Sequence, residues 1–540
     1  MSARRKNPAE HPELGLPEVR PLWQKSGLFS DHYLKVRIAG NDWWPSDDLV
    51  RPVWAFCKGL VERRAFGLRR HGNEEEARQE LIEPLLERLG LSWSRNLGLP
   101  DQDLEPDYIL FASAQEKAAV QDKDRTARYK AGVGLLEAKK YGHPLSQISR
   151  HQQRYPHLQI RDYLSEARVL GWGILTNGRD WRLYCRDARP SDFFELNLEV
   201  AVQSLQTFKL FYSLFHRDAF IRDTQGKCRL DRVREGALSA QTELESDLRE
   251  RVFTLIANLA NGFAGRPENG IADTDLPRLY DNCLIYLYRL LFILYAEGRE
   301  LLPVEPRSRK YSKELSLERL KPALQGFAYE SHTQTRLYRE LGELCHVING
   351  TNEKANKEFG VPRYNGGLFD PKKHRDLETW AVSDAVLADV LRGLMFNPPP
   401  RRDDPALPIQ TVDYADLNVQ QLGSIYEGLL ENHFERENGR LVLKTDKAER
   451  KATGTYYTPD HIVKYIVEHT VGALLAEIGQ RPEVRAAREA GLQNNAFADA
   501  VLALNVCDPA MGSGHFLVEA VIHLADAIVY HPSTKFQAEF

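Results

Sequence analysis

Cysteine is scarce in this sequence, and what there is lies scattered. Six cysteines, Cys57, Cys185, Cys228, Cys283, Cys345 and Cys507, are spread over 540 residues with no C-x-x-C pair. That spacing excludes a zinc ribbon and a disulfide framework and fits a reducing, cytoplasmic setting. The first residues, MSARRKNPAEHPELGLP, hold charge and proline but no apolar core, so no signal peptide is expected. No apolar run reaches membrane length: CLIYLYRLLFILYA, residues 283–296, is too short and carries Arg289 at its centre, so it predicts a buried helix and no membrane partner. An excess of charge of one sign is missing too. With 72 basic and 76 acidic residues the net charge is -4, so a surface for nucleic acid must be local, and Arg63, Arg64, Arg69 and Arg70 form one basic cluster. No solenoid-type repeat is present.

The length calls for several domains, and 42% hydrophobic with 27% charged residues describes a globular chain. Residues 1–48 are proline-rich and weakly periodic and read as an N-terminal arm. Residues 49–200 alternate helical and short apolar segments, an α/β pattern. In NEEEARQELIEPLLERLG, Asn73 is a helix cap followed by acids in the first turn; Ala77, Leu81, Leu85 and Leu89 repeat at helical spacing, and Pro84 should kink the helix. DYILFA, GVGLLEA, GWGILTN and WRLYCRD are strand-length. Residues 201–450 read as a mainly helical connector, with Leu284, Tyr288, Leu291 and Tyr295 on one helical face and QLGSIYEGLLENHF as a second amphipathic stretch. PRYNGGLFDP and NPPPRRDDPALP are turn and loop. Residues 451–540 open a second α/β segment.

Two constellations carry chemistry. Asp107 follows Pro106 at the start of DYILF, Glu137 closes GVGLLE, and Lys139 lies two residues further. Strand alternation sends Glu137 and Lys139 to one side. Carboxylates that could hold a hard cation, beside a lysine, are what phosphodiester hydrolysis requires. A helix acid could complete the set: Glu74 first, with Glu76 or Glu80 as substitutes. These residues resemble the PD-(D/E)xK nuclease superfamily, and LLEAKKYGHPL, HQQRYP and GWGILTNGRDWRLY extend the likeness to the nuclease domain of restriction enzymes, where a TNG turn and a W-x-L-Y strand follow the lysine. The resemblance implies that Asp107 and Glu137 bind Mg²⁺, that Lys139 orients water or stabilises developing charge, and that Glu74, Asp107, Glu137 and Lys139 are catalytic. Gln152 or Gln153 is a candidate DNA contact.

The second constellation is VLALNVCDPAMGSGHFLVEAVIHLADAIV, read as strand, glycine turn and helix, with free helix amides facing a ligand. DPAMGSGHFL resembles the S-adenosylmethionine motif of DNA N6-adenine methyltransferases, and TGTYYTPDHIVKYIV resembles its companion. By that likeness Thr455, Tyr456, Tyr457, Thr458, Pro459, Asp508, Pro509, Gly512 and Gly514 line a cofactor site. The family's [DN]-P-P-[YFW] loop, which holds the flipped adenine, is not found in these residues. Asn397-Pro398-Pro399-Pro400 lacks the aromatic residue and lies upstream, so it reads as a connector loop.

GLFSDHYL, RLLFILYAEGRELLP, YNGGLFDP and DYADLNVQQLGSIYEGLL extend the resemblance to the front portion of type IIG-like restriction-modification proteins. The expectation is an α/β multidomain protein: a PD-(D/E)xK nuclease-like domain, a helical connector and the start of a Rossmann-like methyltransferase domain. It implies an Mg²⁺-dependent endonuclease for double-stranded DNA in phage defence, linked to an S-adenosylmethionine-binding region that does not methylate unaided. The alternative is a split DNA- or partner-binding subunit without autonomous catalysis, completed by a separate chain.

Overall fold

The structure is a computed structural model. It describes residues 22–24, 27–30, 33–99, 104–146, 156–189, 192–305, 307–364, 367–400, 411–417, 419–430, 432–445, 458–490, 494–509, 511, 514–531 and 533–534. The chain divides into two compact units, Met1–Ala237 and Leu238–Phe540.

The first unit is built on a seven-stranded mixed sheet. Its strands are β1 (Trp23–Gln24), β2 (Ser92–Arg95), β3 (Tyr108–Phe111), β4 (Gly134–Ala138), β5 (Trp172–Thr176), β6 (Asp180–Cys185) and β7 (Phe194–Asn197), in spatial order β1-β7-β6-β5-β4-β3-β2. Only β4 and β5 run parallel, joined through the helix Pro156–Ala167, as a crossover connection requires. The four expected strands all form. Part of the segment read as an arm does not stand apart, because Trp23–Gln24 pairs with β7 as an edge strand.

Every residue of β3, β4, β5 and β6 is buried, as in a sheet covered on both faces. On one side Ile160, Tyr163, Leu164 and Ala167 of the crossover helix meet Ile109, Phe111, Leu135 and Leu175. Gly173 allows that approach, since a β-carbon there would stand 3.0 Å from Ile160. Elsewhere Trp181 meets Phe211 and Phe215 of the helix Leu205–Phe215 edge-on, with centroids 5.4 and 5.6 Å apart. The helix over residues 74–88 begins at Asn73, whose side chain accepts from Glu76 N–H at 2.8 Å while Glu76 accepts from Asn73 N–H at 2.9 Å. Pro84 leaves its mark as a wide turn rather than a simple kink. With no N–H to offer Glu80's carbonyl, it follows a π-helical segment, Arg78–Ile82.

The second unit is helical around a core shared by the helices Leu276–Gly298, Arg336–Asn349 and Asp384–Met395. The run 283–296 lies inside the first of these, and Arg289 is buried with its Nε donating to Leu368 O at 2.8 Å. By length and composition this is the one helix among the described residues that could cross a membrane, but most of it is packed inside the unit. The stretch QLGSIYEGLLENHF is only partly helical. Its helix ends at Leu430, and Asn432 opens a hairpin of β8 (Asn432–Glu437) and β9 (Arg440–Thr445). Asn438 and Gly439 turn it with φ of 50° and 78°, the two left-handed positions a tight hairpin needs.

The α/β expectation for residues 451–540 meets a correction. The described residues there form helices, Asp460–Gly479, Pro482–Glu489, Ala496–Leu502 and His515–Tyr530, and no strand beyond an isolated bridge between Asn494 and Thr534. VLALNV, expected as a strand, ends a helix at Leu502 and continues as irregular, mostly exposed chain. A short apolar run serves either state, and no neighbouring strand is described to pair with it.

Candidate functional site

The site builds from the facing ends of β3 and β4. Their antiparallel register sets Tyr108 opposite Leu136, so the residues one step outward, Asp107 and Glu137, are neighbours. Asp107 N–H donates to Glu137 Oε2 at 3.3 Å, and Ala138 N–H donates to Asp107 Oδ2 at 2.8 Å. Lys139 continues the parallel ladder, its N–H donating to Thr176 O at 2.8 Å, and its Nζ donates to Glu137 Oε1 at 2.6 Å. The side chains of Glu137 and Lys139 are each 5% exposed, whereas Glu74 is 36% exposed, so the site opens towards the helix that carries Glu74.

Burial is the first cause that raises the Glu137 pKa; the Asp107 carboxylate adds to it and Lys139 opposes it. Burial likewise raises Glu74, with Lys139 and Arg78 pulling the other way. Of the three candidate helix acids, Glu74 is the one tied to the site: Arg78 Nη2 donates to Glu74 Oε1 at 2.8 Å and also to Asp107 Oδ1. Glu76 is engaged in its helix cap, and Glu80 faces Arg64 at 3.4 Å. The structure thus brings Glu74, Asp107, Glu137 and Lys139 together around Arg78, a residue the sequence reading missed. Its only signal was the i,i+4 spacing from Glu74, common to any ion-paired helix.

The downstream motifs brace the lysine segment. In the TNG turn, Asn177 Oδ1 accepts from Arg179 and Asp180 N–H, and Asn177 Nδ2 reaches the His143 carbonyl at 2.7 Å. Asn177 O also accepts from Gly142 N–H at 3.1 Å, so the turn clamps the loop that follows Lys139. Gly178 sits at φ +80°, where a side chain would meet Tyr141 and Leu81. Trp181 closes the turn by donating to Gly178 O at 3.2 Å.

Three carboxylates form a hard-oxygen donor set suited to Mg²⁺ by chemistry. Among the described residues no group of three acidic, histidine or cysteine side chains is drawn tightly enough to hold a metal ion as it stands. The Arg78 guanidinium pairs with both Glu74 and Asp107.

The second constellation is described in part. Thr455, Tyr456, Tyr457 and Gly512 lie outside the described residues, as do Gln152 and Gln153 of the first unit. Thr458 precedes Pro459, which caps the helix Asp460–Gly479, and Gly514, at φ +83°, caps the helix His515–Tyr530. Val463, Val467, Val471 and Leu475 of the first helix share a core with Ala520, Phe516 and Leu524 of the second, so the two motifs lead into helices packed together. Asp508 and Pro509 stand on the irregular segment between the helices ending at Leu502 and beginning at His515.

Fold and site together define a mixed α/β protein with an acidic pair and a lysine at adjoining strand ends. No family model matches the chain. It is 22% identical over 517 residues to a protein of Methanocaldococcus jannaschii named "Putative type II restriction enzyme and methyltransferase", an alignment covering 84% of this chain and 39% of that protein. The chain therefore spans about two fifths of the length of that relative. The solved type IIG restriction endonuclease BpuSI aligns with 92% of this chain and 42% of its own at 13% identity, but the TM-score of 0.18 is too low for that likeness to bear on the fold. The chain thus resembles, in its alignment, a protein named as a type II restriction enzyme and methyltransferase.

Proposed function

We propose that this chain is the nuclease-bearing portion of a restriction-modification protein, an Mg²⁺-dependent endonuclease for double-stranded DNA linked to an S-adenosylmethionine-binding, adenine-N6 methyltransferase region. The observation that carries the nuclease reading is the closed set of contacts among Asp107, Glu137 and Lys139 at the ends of β3 and β4. In this reading the division of labour is a nuclease-like domain over residues 49–200, a connector over 201–450 and a cofactor-binding region over 451–540.

Asp107 and Glu137 would hold the metal, with Glu74 completing its surroundings from the open side. Bound there, Mg²⁺ would neutralise phosphate charge and favour ionisation of a bound water. Lys139, anchored through its backbone to β5 and through Nζ to Glu137, presents a fixed positive charge to the water or to the phosphorane oxygens. Water oxygen bonds to phosphorus as one of its protons passes to solvent, the P–O bond to the leaving strand breaks, and the departing oxygen takes up a proton from solvent. Buried walls on both sides of Glu137 keep these charges strong.

In the second unit, Thr455, Tyr456, Tyr457, Thr458, Pro459, Asp508, Pro509, Gly512 and Gly514 would line the cofactor site. A cytoplasmic phage-defence role follows from the same reading. Asp107→Asn in the full chain tests the nuclease proposal: metal-dependent nicking should fall by about a hundredfold or more. Nicking at the wild-type rate would remove Asp107 from the metal site.

One observation favours the second reading, a subunit that acts with a separate chain. Leu502, Val506, Met511 and Val521 are all exposed around the segment that carries Asp508. Metal-dependent plasmid cleavage by this chain alone separates the two, since the subunit reading expects no autonomous catalysis and cleavage without a second chain would exclude it.

A further inference from the structure

Arg78, half-buried on the helical segment beside the sheet, is placed unlike Arg182, the buried arginine of β6. Arg182 is satisfied from several sides, by Glu195 at 2.8 Å, Ser146 at 3.1 Å and Tyr184 at 3.2 Å. Arg78 instead has a buried Nε with no hydrogen-bond partner, and it meets Glu74, Glu75 and Asp107 through its two terminal nitrogens. Its Nη2 serves Glu74 and Asp107 at once.

The oxygens it takes are the ones a cation would need. Asp107 Oδ2 accepts from Ala138 N–H, Glu137 Oε1 from Lys139 Nζ and Glu137 Oε2 from Asp107 N–H, each a single neutral or lysine donor that leaves a second lone pair for a cation. Asp107 Oδ1 instead faces the Arg78 guanidinium, which also takes Glu74 Oε1. The backbone contributes as well. Arg78 is the first residue of the wide turn Arg78–Ile82, a departure from regular helix that is frequent at functional sites.

We propose that Arg78 is the protein's own counter-charge in this site: it keeps Glu74 and Asp107 converged and competes directly with a divalent cation for Glu74 Oε1 and Asp107 Oδ1. The inference rests on the reading of the site as a metal-dependent nuclease centre. It makes Arg78 a positioning residue, with metal entry coupled to release of the Arg78–Asp107 contact. A merely structural arginine would show the opposite sign, because removing it would loosen the acids and weaken metal binding.

The test is Mn²⁺ binding by calorimetry to the full chain without DNA, in wild type, Arg78→Met, Arg78→Lys and Glu137→Gln, each checked for a cooperative melt. Arg78→Met should bind Mn²⁺ more tightly, by on the order of tenfold, because a charge-assisted contact no longer has to be broken. Arg78→Lys should shift affinity the same way by a smaller factor, since a lysine keeps the charge but not the two-pronged grip. It carries the test if Arg78→Met does not fold. Unchanged or weaker Mn²⁺ affinity in the variants, with wild-type binding lost in Glu137→Gln, would overturn the role of Arg78 and leave the nuclease reading standing. Absence of Mn²⁺ binding in wild type and variants alike, together with no cleavage, would overturn both.

Discussion

Three acids, Glu74, Asp107 and Glu137, share two neighbouring cations, Lys139 and Arg78, and the balance between them decides what each side chain can do. Two residues apart on one helical turn, Glu74 and Glu76 have separate tasks. Glu76→Ala breaks the capping box and should cost about 1 kcal/mol of stability in a denaturant melt while cleavage per folded molecule stays at the wild-type level. Glu74→Ala should do the reverse, leaving the melt nearly unchanged and slowing cleavage by about tenfold or more. A variant pair that loses both properties together would undo this assignment. Asp107, Glu137 and Lys139 were legible in the sequence because each sits beside a strand-length apolar run, and strand geometry then fixes their neighbours. Arg78 was not, because its partner Asp107 is 29 residues away and only folding brings them together.

At the scale of elements, close packing and buried charge set the tolerances. Gly173→Val places a branched side chain where even a β-carbon would stand 3.0 Å from Ile160, so the crossover helix must shift; a loss of about 1–3 kcal/mol is expected in chemical denaturation, and an unchanged midpoint would mean the helix moves freely. Glu297 offers a pH test in the second unit. It is buried at the end of Leu276–Gly298, where Tyr311 Oη at 2.8 Å and Leu317 N–H at 2.9 Å donate to it, and burial raises its pKa from 4.5 to about 7. The folded chain therefore keeps this proton to higher pH than the unfolded chain. Its contribution to stability falls as pH rises from 4.5 to about 7 and is flat above that. Glu297→Gln should flatten that part of the profile of melting temperature against pH, and an unaltered slope would assign the dependence elsewhere. The expected strands of the first unit formed because each apolar run is bounded by turn residues and lies in a sheet covered on both faces. VLALNV misled because a run that short fits a strand or a helix end equally. The β8–β9 hairpin was missed although Asn438-Gly439 between HFERE and RLVLKT is a hairpin signal.

For the whole molecule, the two proposed activities belong to different units, Met1–Ala237 and Leu238–Phe540, and should respond to mutation separately. Equilibrium dialysis with labelled S-adenosylmethionine should show binding that Asp508→Ala abolishes and Lys139→Ala leaves intact; binding that survives Asp508→Ala would detach that motif from the cofactor. The similarity to a restriction enzyme and methyltransferase covers most of this chain but 39% of the relative, so the nuclease reading has to be tested on this chain itself. The most direct measurement is cleavage of unmethylated supercoiled plasmid by the full chain with Mg²⁺, wild type beside Lys139→Ala. Wild type should nick or linearise the plasmid only with Mg²⁺, and Lys139→Ala should slow this by about a hundredfold or more. Equal rates for the two proteins, or cleavage indifferent to Mg²⁺, would contradict the nuclease assignment.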